Sequence, residues 1–376
     1  ARCARASLAA HGSYTVRLQR QLIPLHSEDG IIQHKSAYFG QIRLGSPQAQ
    51  LIDVVFDTGS GHLLVPSAMC RSNTCRAHKR YRKKASQSAE DIDVDGSVVT
   101  PGNPRDQLTI SFGTGEVTGV FVRDRLCIGE PSQEMSEEMS EEGRIRGNAL
   151  LQVDKGHLSQ MKEAPVEDDS GREQEGGGCS FARIVIATQM TDDPFGSFAF
   201  DGVFGLGLPR LSQSPEFNVF STASSTMAWL SALPSSQRIF SLFLGVADDE
   251  ESEITFGGFR QEHLKPDASF AWHEVLEPEL GHWQVEVREI RANGQRLDFC
   301  DDGSCRAVID TGTSLLGVPS SLGPLLTDLL QHEASPELAC AGPGYLLEID
   351  LGNITVTLRP EDYARPEFTI DGSYRG

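Results

Sequence analysis

Apolar and polar positions follow the same pattern at two distant places in the chain. The apolar residues 54–56 lead into Asp57-Thr58-Gly59, and residues 307–309 lead far downstream into Asp310-Thr311-Gly312. Each stretch predicts a buried strand that ends in a tight polar turn. A single Asp-Thr-Gly sequence is typical of an ordinary turn. Two copies, each at the end of an apolar run, indicate that the two turns share a chemical role.

Apolar residues alternate with polar ones in several other segments. Residues 271–275 and 283–290 alternate in this way, which predicts strands. Helical spacing is found over residues 226–233 and 319–330. Residues 129–178 differ, because they are acidic and rich in Gly and include the near-repeat EMSEEMSEEG. Such a composition does not bury enough apolar surface to become ordered, so we expect a mobile surface insertion there.

Length and charge narrow the class of protein. A chain of 376 residues suits two lobes of comparable size, and 39% apolar with 23% charged residues is typical of a soluble globular protein. We find no run of about eighteen apolar residues, so we expect no membrane span. The net charge of −20 argues against nucleic acid as a partner. The basic run at residues 76–84 could be a nucleic-acid patch, but a solvated loop is the preferred interpretation.

Two carboxylates held close together have a specific use in catalysis. They do not both ionise easily, so they share a proton and titrate as a coupled pair. One member then acts as a base that activates a water for attack on a carbonyl, and the other acts as an acid toward the carbonyl oxygen. This chemistry needs no metal and no cofactor. It makes Asp57 and Asp310 the candidate catalytic residues.

The neighbours of the two aspartates suit such a pair. Gly59 and Gly312 would let the two loop backbones approach each other without a Cβ. Thr58 and Thr311 can hydrogen-bond across to the opposite loop. The hydroxyl groups three residues after each aspartate can donate to the outer carboxylate oxygens and favour the ionised form; they belong to Ser60 and Thr313.

The chain resembles the pepsin-like aspartic endopeptidases of the cathepsin D type from about Tyr38 to about Tyr363, with gaps. Besides the two Asp-Thr-Gly sequences, the resemblance depends on YFGQIRLG at 38–45, LLVPS at 63–67, ISFGTG at 110–115, DGVFGLG at 201–207, TFGG at 255–258 and HWQV at 282–285. It implies an all-β fold of two lobes, with a central cleft covered by a flap hairpin. Phe112 and Leu64 stand where the family usually has Tyr and Trp, so an apolar contact would replace a polar one at the flap.

The resemblance also implies roles for residues along the cleft. Backbone groups of Gly59, Gly113, Thr114 and Gly312, with the side chain of Thr313, would hold an extended substrate. Apolar subsites would be lined by Val55, Phe112, Phe200, Val203 and Val308. His282 falls where the family often has an aromatic residue at a primed subsite, which suggests a pH-sensitive preference.

The eight cysteines include two pairs that each enclose four residues, Cys70 with Cys75 and Cys300 with Cys305. The family has short-loop disulfides at those two places, although a short Cys pair can also be half of a metal site. Cys127 and Cys179 flank the insertion and are expected to pair across it. Disulfides imply an oxidising compartment, so we expect the secretory pathway, with the protein secreted or in an acidic lysosome-like or vacuole-like compartment. Cys3 and Cys340 have no obvious partner.

These observations predict a division of the chain. Residues 1–35 are more basic than the rest and suit either a prosegment over an acidic cleft or a pair of N-terminal strands. Residues 36–208 would form the N-terminal lobe and 209–376 the C-terminal lobe. Nothing after Tyr363 matches the family's closing segment, so the expectation is a second lobe that is incomplete at its C-terminus.

The predicted function is an aspartic endopeptidase, a monomer acting on polypeptide substrates at acidic pH; without the closing segment, the chain alone is expected to be inactive. A Ser-His-Asp hydrolase is disfavoured because the chain has no Gly-x-Ser-x-Gly sequence. The alternative is a catalytically inactive member of the same fold that binds peptides or proteins. Both Asp-Thr-Gly motifs and both following hydroxyl groups are intact, which favours the enzyme.

Overall fold

The computed structural model describes residues 13–26, 32–113, 115–131, 178–220, 238–245, 250–266, 268–332, 343–363, 367–368 and 374–375. Most of the expected insertion, Thr114, Cys3, Cys340 and the predicted helix at 226–233 lie outside these ranges. The described part is built mainly from β-strands, with short helices, so the all-β prediction is confirmed. No helix within it is long and apolar enough to cross a membrane.

Twelve strands form one large sheet. In chain order they are β1 (Tyr14–His26), β2 (Ile32–Leu44), β3 (Gln50–Asp57), β4 (Leu63–Pro66), β5 (Glu90–Ile92), β6 (Gln107–Phe112), β7 (Gly115–Ile128), β8 (Glu130–Pro131), β9 (Cys179–Met190), β10 (Gly202–Gly205), β11 (Phe240–Phe243) and β12 (Ser252–Phe256).

Smaller sheets and three helices complete the described chain. The strands are β13 (Gln284–Glu286), β14 (Glu289–Ala292), β15 (Gln295–Leu297), β16 (Arg306–Val308), β17 (Leu347–Asp350), β18 (Thr355–Leu358), β19 (Glu367–Phe368) and β20 (Tyr374–Arg375), and the helices are α1 (Asn73–Ala77), α2 (Gly323–Leu330) and α3 (Pro360–Tyr363). β13 pairs with β16, and β15, β14, β17 and β18 form a four-stranded sheet. The helix predicted at 319–330 is present but starts later.

Strand β3 carries the first aspartate, and its last four residues are buried on both faces. Ile52, Val54 and Phe56 point into one hydrophobic cluster, while Val55 points into another. This explains why β3 reads as a continuous apolar run and not as an alternating one. β3 pairs with β2 on one side and in parallel with β10 on the other. The end of β3 is therefore held from both sides.

Strand β1 connects the two halves of the molecule. It pairs antiparallel with β2 over residues 18–26 and with β12 over residues 14–18. The sequence suggested a prosegment or two short strands there, and the structure has one continuous strand. Its removal as a prosegment stays a prediction. Because β12 lies beyond the N-terminal lobe in sequence, the large sheet spans both predicted lobes.

The strand before the second aspartate is much less enclosed. β16 pairs with β13, and Ile309 is 52% exposed, whereas Phe56 at the equivalent place before Asp57 is 1% exposed. Among the described residues, β16 has no counterpart of the parallel strand β10.

The strand predicted at 271–275 was wrong, since these residues form no strand and Trp272 is 73% exposed. An alternating pattern gains stability only when a partner strand accepts it.

An aromatic cluster joins β3 and β10 to β11 and β12. The Phe256 ring lies 6.2 Å from both Phe56 and Phe204 and 6.4 Å from Phe240, and its side chain is fully buried.

Phe256→Ala should therefore lower the free energy of unfolding by about 3–5 kcal/mol, the usual cost of a large cavity. Urea denaturation measures this, with Phe270→Ala as control, because Phe270 is 46% exposed. Equal losses in the two variants would contradict the assigned core.

Candidate active site

The two Asp-Thr-Gly loops contact each other through their threonines. The backbone N–H of Thr58 donates to Thr311 Oγ1 at 3.1 Å, and the N–H of Thr311 donates to Thr58 Oγ1 at 2.9 Å. Each hydroxyl then donates back to a carbonyl of the opposite strand, Thr58 to Ile309 O at 2.8 Å and Thr311 to Phe56 O at 2.6 Å. The four bonds are related by approximate two-fold symmetry. They lock residues more than 250 positions apart in sequence into one unit.

The glycines allow the loops to come this close. A Cβ on Gly59 would lie 2.5 Å from Asp310 Oδ2. A Cβ on Gly312 would lie 2.3 Å from Asp57 Oδ1 and 3.3 Å from Asp310 Oδ1. Any side chain at either position would occupy the space that the two carboxylates border. The absence of a side chain is therefore what lets the carboxylates meet.

Each carboxylate accepts a hydrogen bond from its own loop. The Gly59 N–H donates to Asp57 Oδ1 at 2.9 Å, and the Gly312 N–H donates to Asp310 Oδ1 at 2.8 Å. The Thr313 hydroxyl donates to Asp310 Oδ2 at 2.7 Å, as its spacing suggested. The Ser60 hydroxyl differs, because it is buried without a partner in hydrogen-bond geometry among the described residues. It still lies near enough to Asp57 to favour the ionised carboxylate.

The electrostatics of the two aspartates are unequal. Burial raises the pKa of Asp57 to about 6; the Ser60 hydroxyl and the Gly59 N–H oppose this rise, and the negative charge of Asp310 adds to it. Asp57 is 9% exposed, and Asp310 is half-buried. Because burial and a like charge both disfavour ionisation, Asp57 holds a proton at a pH where a free carboxyl has lost it. This is the behaviour expected of a pair that shares one proton.

Backbone bonds hold the ends of both strands. The Leu206 N–H donates to Asp57 O at 2.7 Å, which extends the pairing of β10 with β3 to the aspartate itself. On the other side the Ile309 N–H donates to Trp283 O at 2.9 Å, and the Ser314 hydroxyl donates to Ser36 O at 2.7 Å. The second loop is thus attached to Trp283, directly before β13, and to β2.

The flap region is the hairpin of β6 and β7. Phe112 pairs with Gly115 at its tip, and Gly113 adopts a positive φ of 55°. The Phe112 ring contacts Phe195 edge-on at 5.9 Å. An aromatic contact is therefore present at the flap, where the family's Tyr–Trp hydrogen bond was expected to be missing. Thr114 lies outside the described residues.

The predicted subsite residues fall into two groups. Val55, Phe200 and Val203 are buried in one hydrophobic cluster, and Phe112 packs against it. Val308 and His282 are not members of this cluster; Val308 is exposed on β16, and His282 is half-buried beside β13. The structure therefore brings four of the six side chains together.

Sequence reasoning missed two aromatic neighbours of the flap. Phe195 and Phe198 lie 6.4 Å apart, and Phe198 stacks on Phe200 at 4.6 Å. The signal was present as three Phe residues within 195–200, a density that is unusual for a loop. The structure also contains disulfides between Cys70 and Cys75, Cys127 and Cys179, and Cys300 and Cys305.

A model of the eukaryotic aspartyl protease family matches residues 37–149 and 179–369. These ranges cover most of the chain and include both Asp-Thr-Gly loops. The chain therefore belongs to this family, and the resemblance seen in the sequence is confirmed.

The chain is similar to several curated members of the family. It is 28% identical over 296 residues to plasmepsin VIII of Plasmodium berghei, 29% identical over 343 residues to cathepsin E of Rattus norvegicus, and 30% identical over 284 residues to pepsin A of Bos taurus. These alignments cover 78%, 89% and 76% of this chain. They span 61%, 68% and 57% of the relatives' lengths.

The close approach at Gly312 can be tested directly. Gly312→Ala should lower the free energy of unfolding by about 1–3 kcal/mol, because the added methyl must push the loops apart. Gly317→Ala is the matched control, since a Cβ there meets nothing within 4 Å. Chemical denaturation of both variants gives the comparison. Loss of stability only at Gly317, or at neither position, would show that the loops do not meet as described.

The raised pKa of Asp57 predicts a dependence of stability on pH. The folded protein holds this proton more tightly than the unfolded chain, so the contribution of Asp57 to stability is fully present below about pH 4 and is lost as the pH rises through about 6. Asp57→Asn removes this titration. The melting temperature of the wild type minus that of Asp57→Asn should therefore be larger at pH 4 than at pH 7. A difference for Asp57→Asn that stays the same from pH 4 to pH 7 would refute the shift.

Proposed function

We propose that the protein is an aspartic endopeptidase that hydrolyses peptide bonds in extended polypeptides, with Asp57 and Asp310 as the catalytic pair. The observation that carries the proposal is the two-fold arrangement of the Asp-Thr-Gly loops, in which crossed threonine bonds and two bare glycines place the carboxylates beside one another. Membership of the aspartyl protease family supports the same conclusion.

In this mechanism the pair carries one proton in its active form. The ionised carboxylate takes a proton from a water molecule as the water oxygen attacks the peptide carbonyl carbon. The protonated carboxyl gives its proton to the carbonyl oxygen, so a neutral tetrahedral diol forms. The carboxyl that took the water proton then gives it to the amide nitrogen, while the other carboxylate takes a proton from a hydroxyl of the diol. The C–N bond breaks, a carboxylic acid and an amine are released, and the pair again carries one proton. The raised pKa of Asp57 favours the singly protonated state at acidic pH.

The substrate would lie across the cleft beneath the flap. Backbone groups of Gly59, Gly113, Thr114 and Gly312, with the Thr313 hydroxyl, are proposed to hold its main chain. The cluster of Val55, Phe200 and Val203 beneath Phe112 favours a large apolar side chain on one side of the scissile bond. Val308 and His282 are proposed for the other side, where His282 would confer a pH-sensitive preference.

The protein is proposed to act in the secretory pathway or in an acidic compartment reached from it. The support is the presence of three disulfides in the described chain, which an oxidising compartment favours. We propose that it acts as a monomer without a cofactor. An inactive peptide-binding member of the fold is the outcome that the activity test below would reveal.

Activity should depend on both aspartates and on pH. Cleavage of a quenched fluorogenic peptide by the full-length protein should be blocked by pepstatin and should decline as the pH rises above about 6, because Asp57 then loses the shared proton. Asp57→Asn and Asp310→Asn should each lower kcat by about 10²–10⁴-fold or more, the contribution of general acid–base catalysis. Asp328→Asn should retain wild-type activity. If the wild type binds the peptide without cleaving it, the protease hypothesis fails and the protein is instead a peptide-binding member of the fold.

A further inference from the structure

The chain between the two lobes forms a compact turn that contacts both halves of the candidate active site. This bridging turn, residues 208–218, contains two short 3₁₀ segments, Pro209–Leu211 and Pro215–Phe217. The Leu208 N–H donates to Gly281 O at 2.9 Å, and the Asn218 side chain donates to Gly207 O at 2.7 Å. The turn is therefore anchored at both ends.

Leu211 of the bridging turn packs closely against three glycines. A Cβ on Gly61 would lie 2.5 Å from the carbonyl carbon of Leu211, and a Cβ on Gly207 would lie 2.7 Å from its Cδ1. A Cβ on Gly281, which has a φ of +91°, would likewise lie 2.7 Å from Leu211 Cγ. The chain just after Asp57, the segment after β10 and the segment before β13 thus all pack against Leu211.

His62 fixes the turn from the side of the first catalytic loop. Its imidazole is 8% exposed, and Nε2 accepts the Gln213 N–H at 2.8 Å. The ring packs near Phe217 at 6.1 Å. An imidazole nitrogen that accepts a hydrogen bond carries no proton, so His62 is neutral here with its proton on Nδ1. Gln213 and Phe217 both belong to the bridging turn.

The same turn connects onward to the second aspartate. Trp283 lies two residues after Gly281, and its indole N–H donates to Leu206 O at 2.7 Å. Trp283 O in turn accepts the N–H of Ile309, directly before Asp310. A continuous chain of contacts therefore runs from His62 through the turn to the second catalytic loop. It is separate from the crossed threonine bonds.

We propose that His62 is a positioning residue whose neutral imidazole, by accepting the Gln213 N–H, holds the bridging turn in place and with it the alignment of the two aspartate loops. It acts through the turn and touches no substrate. Protonation would turn the acceptor into a donor that faces another donor, so the alignment would be lost at low pH. This inference rests on the proposed function for its kinetic consequence, whereas its structural part is independent of it.

The surroundings of His62 support this sensitivity to acid. Burial lowers the pKa of His62 to about 4. The ionisable groups on the elements around it are Asp57 on its own loop, Arg210 and Glu216 on the turn, and Arg183, whose guanidinium lies over the Phe217 ring. The unfolded chain binds this proton more readily than the folded one, so the contribution of His62 to stability is lost as the pH falls from about 6.5 through about 4. Asp57 acts in the opposite direction.

Two variants separate acceptor chemistry from bulk. His62→Gln offers an amide oxygen close to the place of Nε2 and does not titrate, whereas His62→Leu fills the space but accepts nothing. His273→Gln, at a half-buried histidine outside both catalytic loops and the bridging turn, is the control. In the full-length protein, ¹⁵N chemical shifts of the imidazole report protonation and tautomer, thermal melting reports stability, and the peptide assay reports kcat and KM.

We expect His62 to be neutral with an unprotonated Nε2 at pH 5.5 and to titrate near pH 4. His62→Leu should lower kcat by about tenfold or more with little change in KM, since small misplacements of catalytic groups are costly. His62→Gln should restore kcat to within about threefold and extend activity to lower pH, and His273→Gln should match wild type. A protonated His62 at pH 5.5, or equal kcat and melting temperatures for the Gln and Leu variants, would overturn the proposal. If wild type cleaves nothing, the proposed function fails, while the imidazole shifts and the melting comparison still decide the role of His62.

Discussion

The structure depends on one mutual contact, the exchange of hydrogen bonds between Thr58 and Thr311. Each threonine accepts from the other's backbone and donates to the strand that carries the other's aspartate. This geometry requires two strand ends to meet head to head, which in turn requires glycine at positions 59 and 312. The large sheet holds the end of β3 between β2 and β10, and the bond from Ser314 to Ser36 O attaches the second loop to β2 of the same sheet.

The arrangement is symmetric in its bonds and asymmetric in its environment. Asp57 ends a strand buried on both faces and flanked by β10, whereas Asp310 follows β16, where Ile309 is half exposed. Burial raises the pKa of Asp57, and the negative charge of Asp310 adds to this rise. The bridging turn adds a second connection between the loops, with His62 as its acceptor.

Much of the fold and of the candidate site was predictable because the two Asp-Thr-Gly repeats and their flanking runs are local patterns. The loop glycines, the crossed threonines and the Thr313 bond follow from residue type and spacing. The bond expected from Ser60 was not found in hydrogen-bond geometry, since hydroxyl direction depends on how each loop packs. The strand expected at 271–275 is absent, and no strand among the described residues pairs with this segment. The acid-sensitive environment of His62 had no signal in the sequence. The residue that hydrogen-bonds to its imidazole, Gln213, is 151 positions away, and such a distant contact leaves no pattern in the sequence around His62.

The central claim is that Asp57 and Asp310 form one unit that holds a shared proton. Carbon-13 shifts of the two side-chain carboxyls, followed from pH 3 to pH 8 in the full-length protein, test it most directly. The account predicts that both signals move together in two steps and that one proton is retained until about pH 6. Two independent titrations near pH 4, each seen at one carboxyl alone, would contradict it.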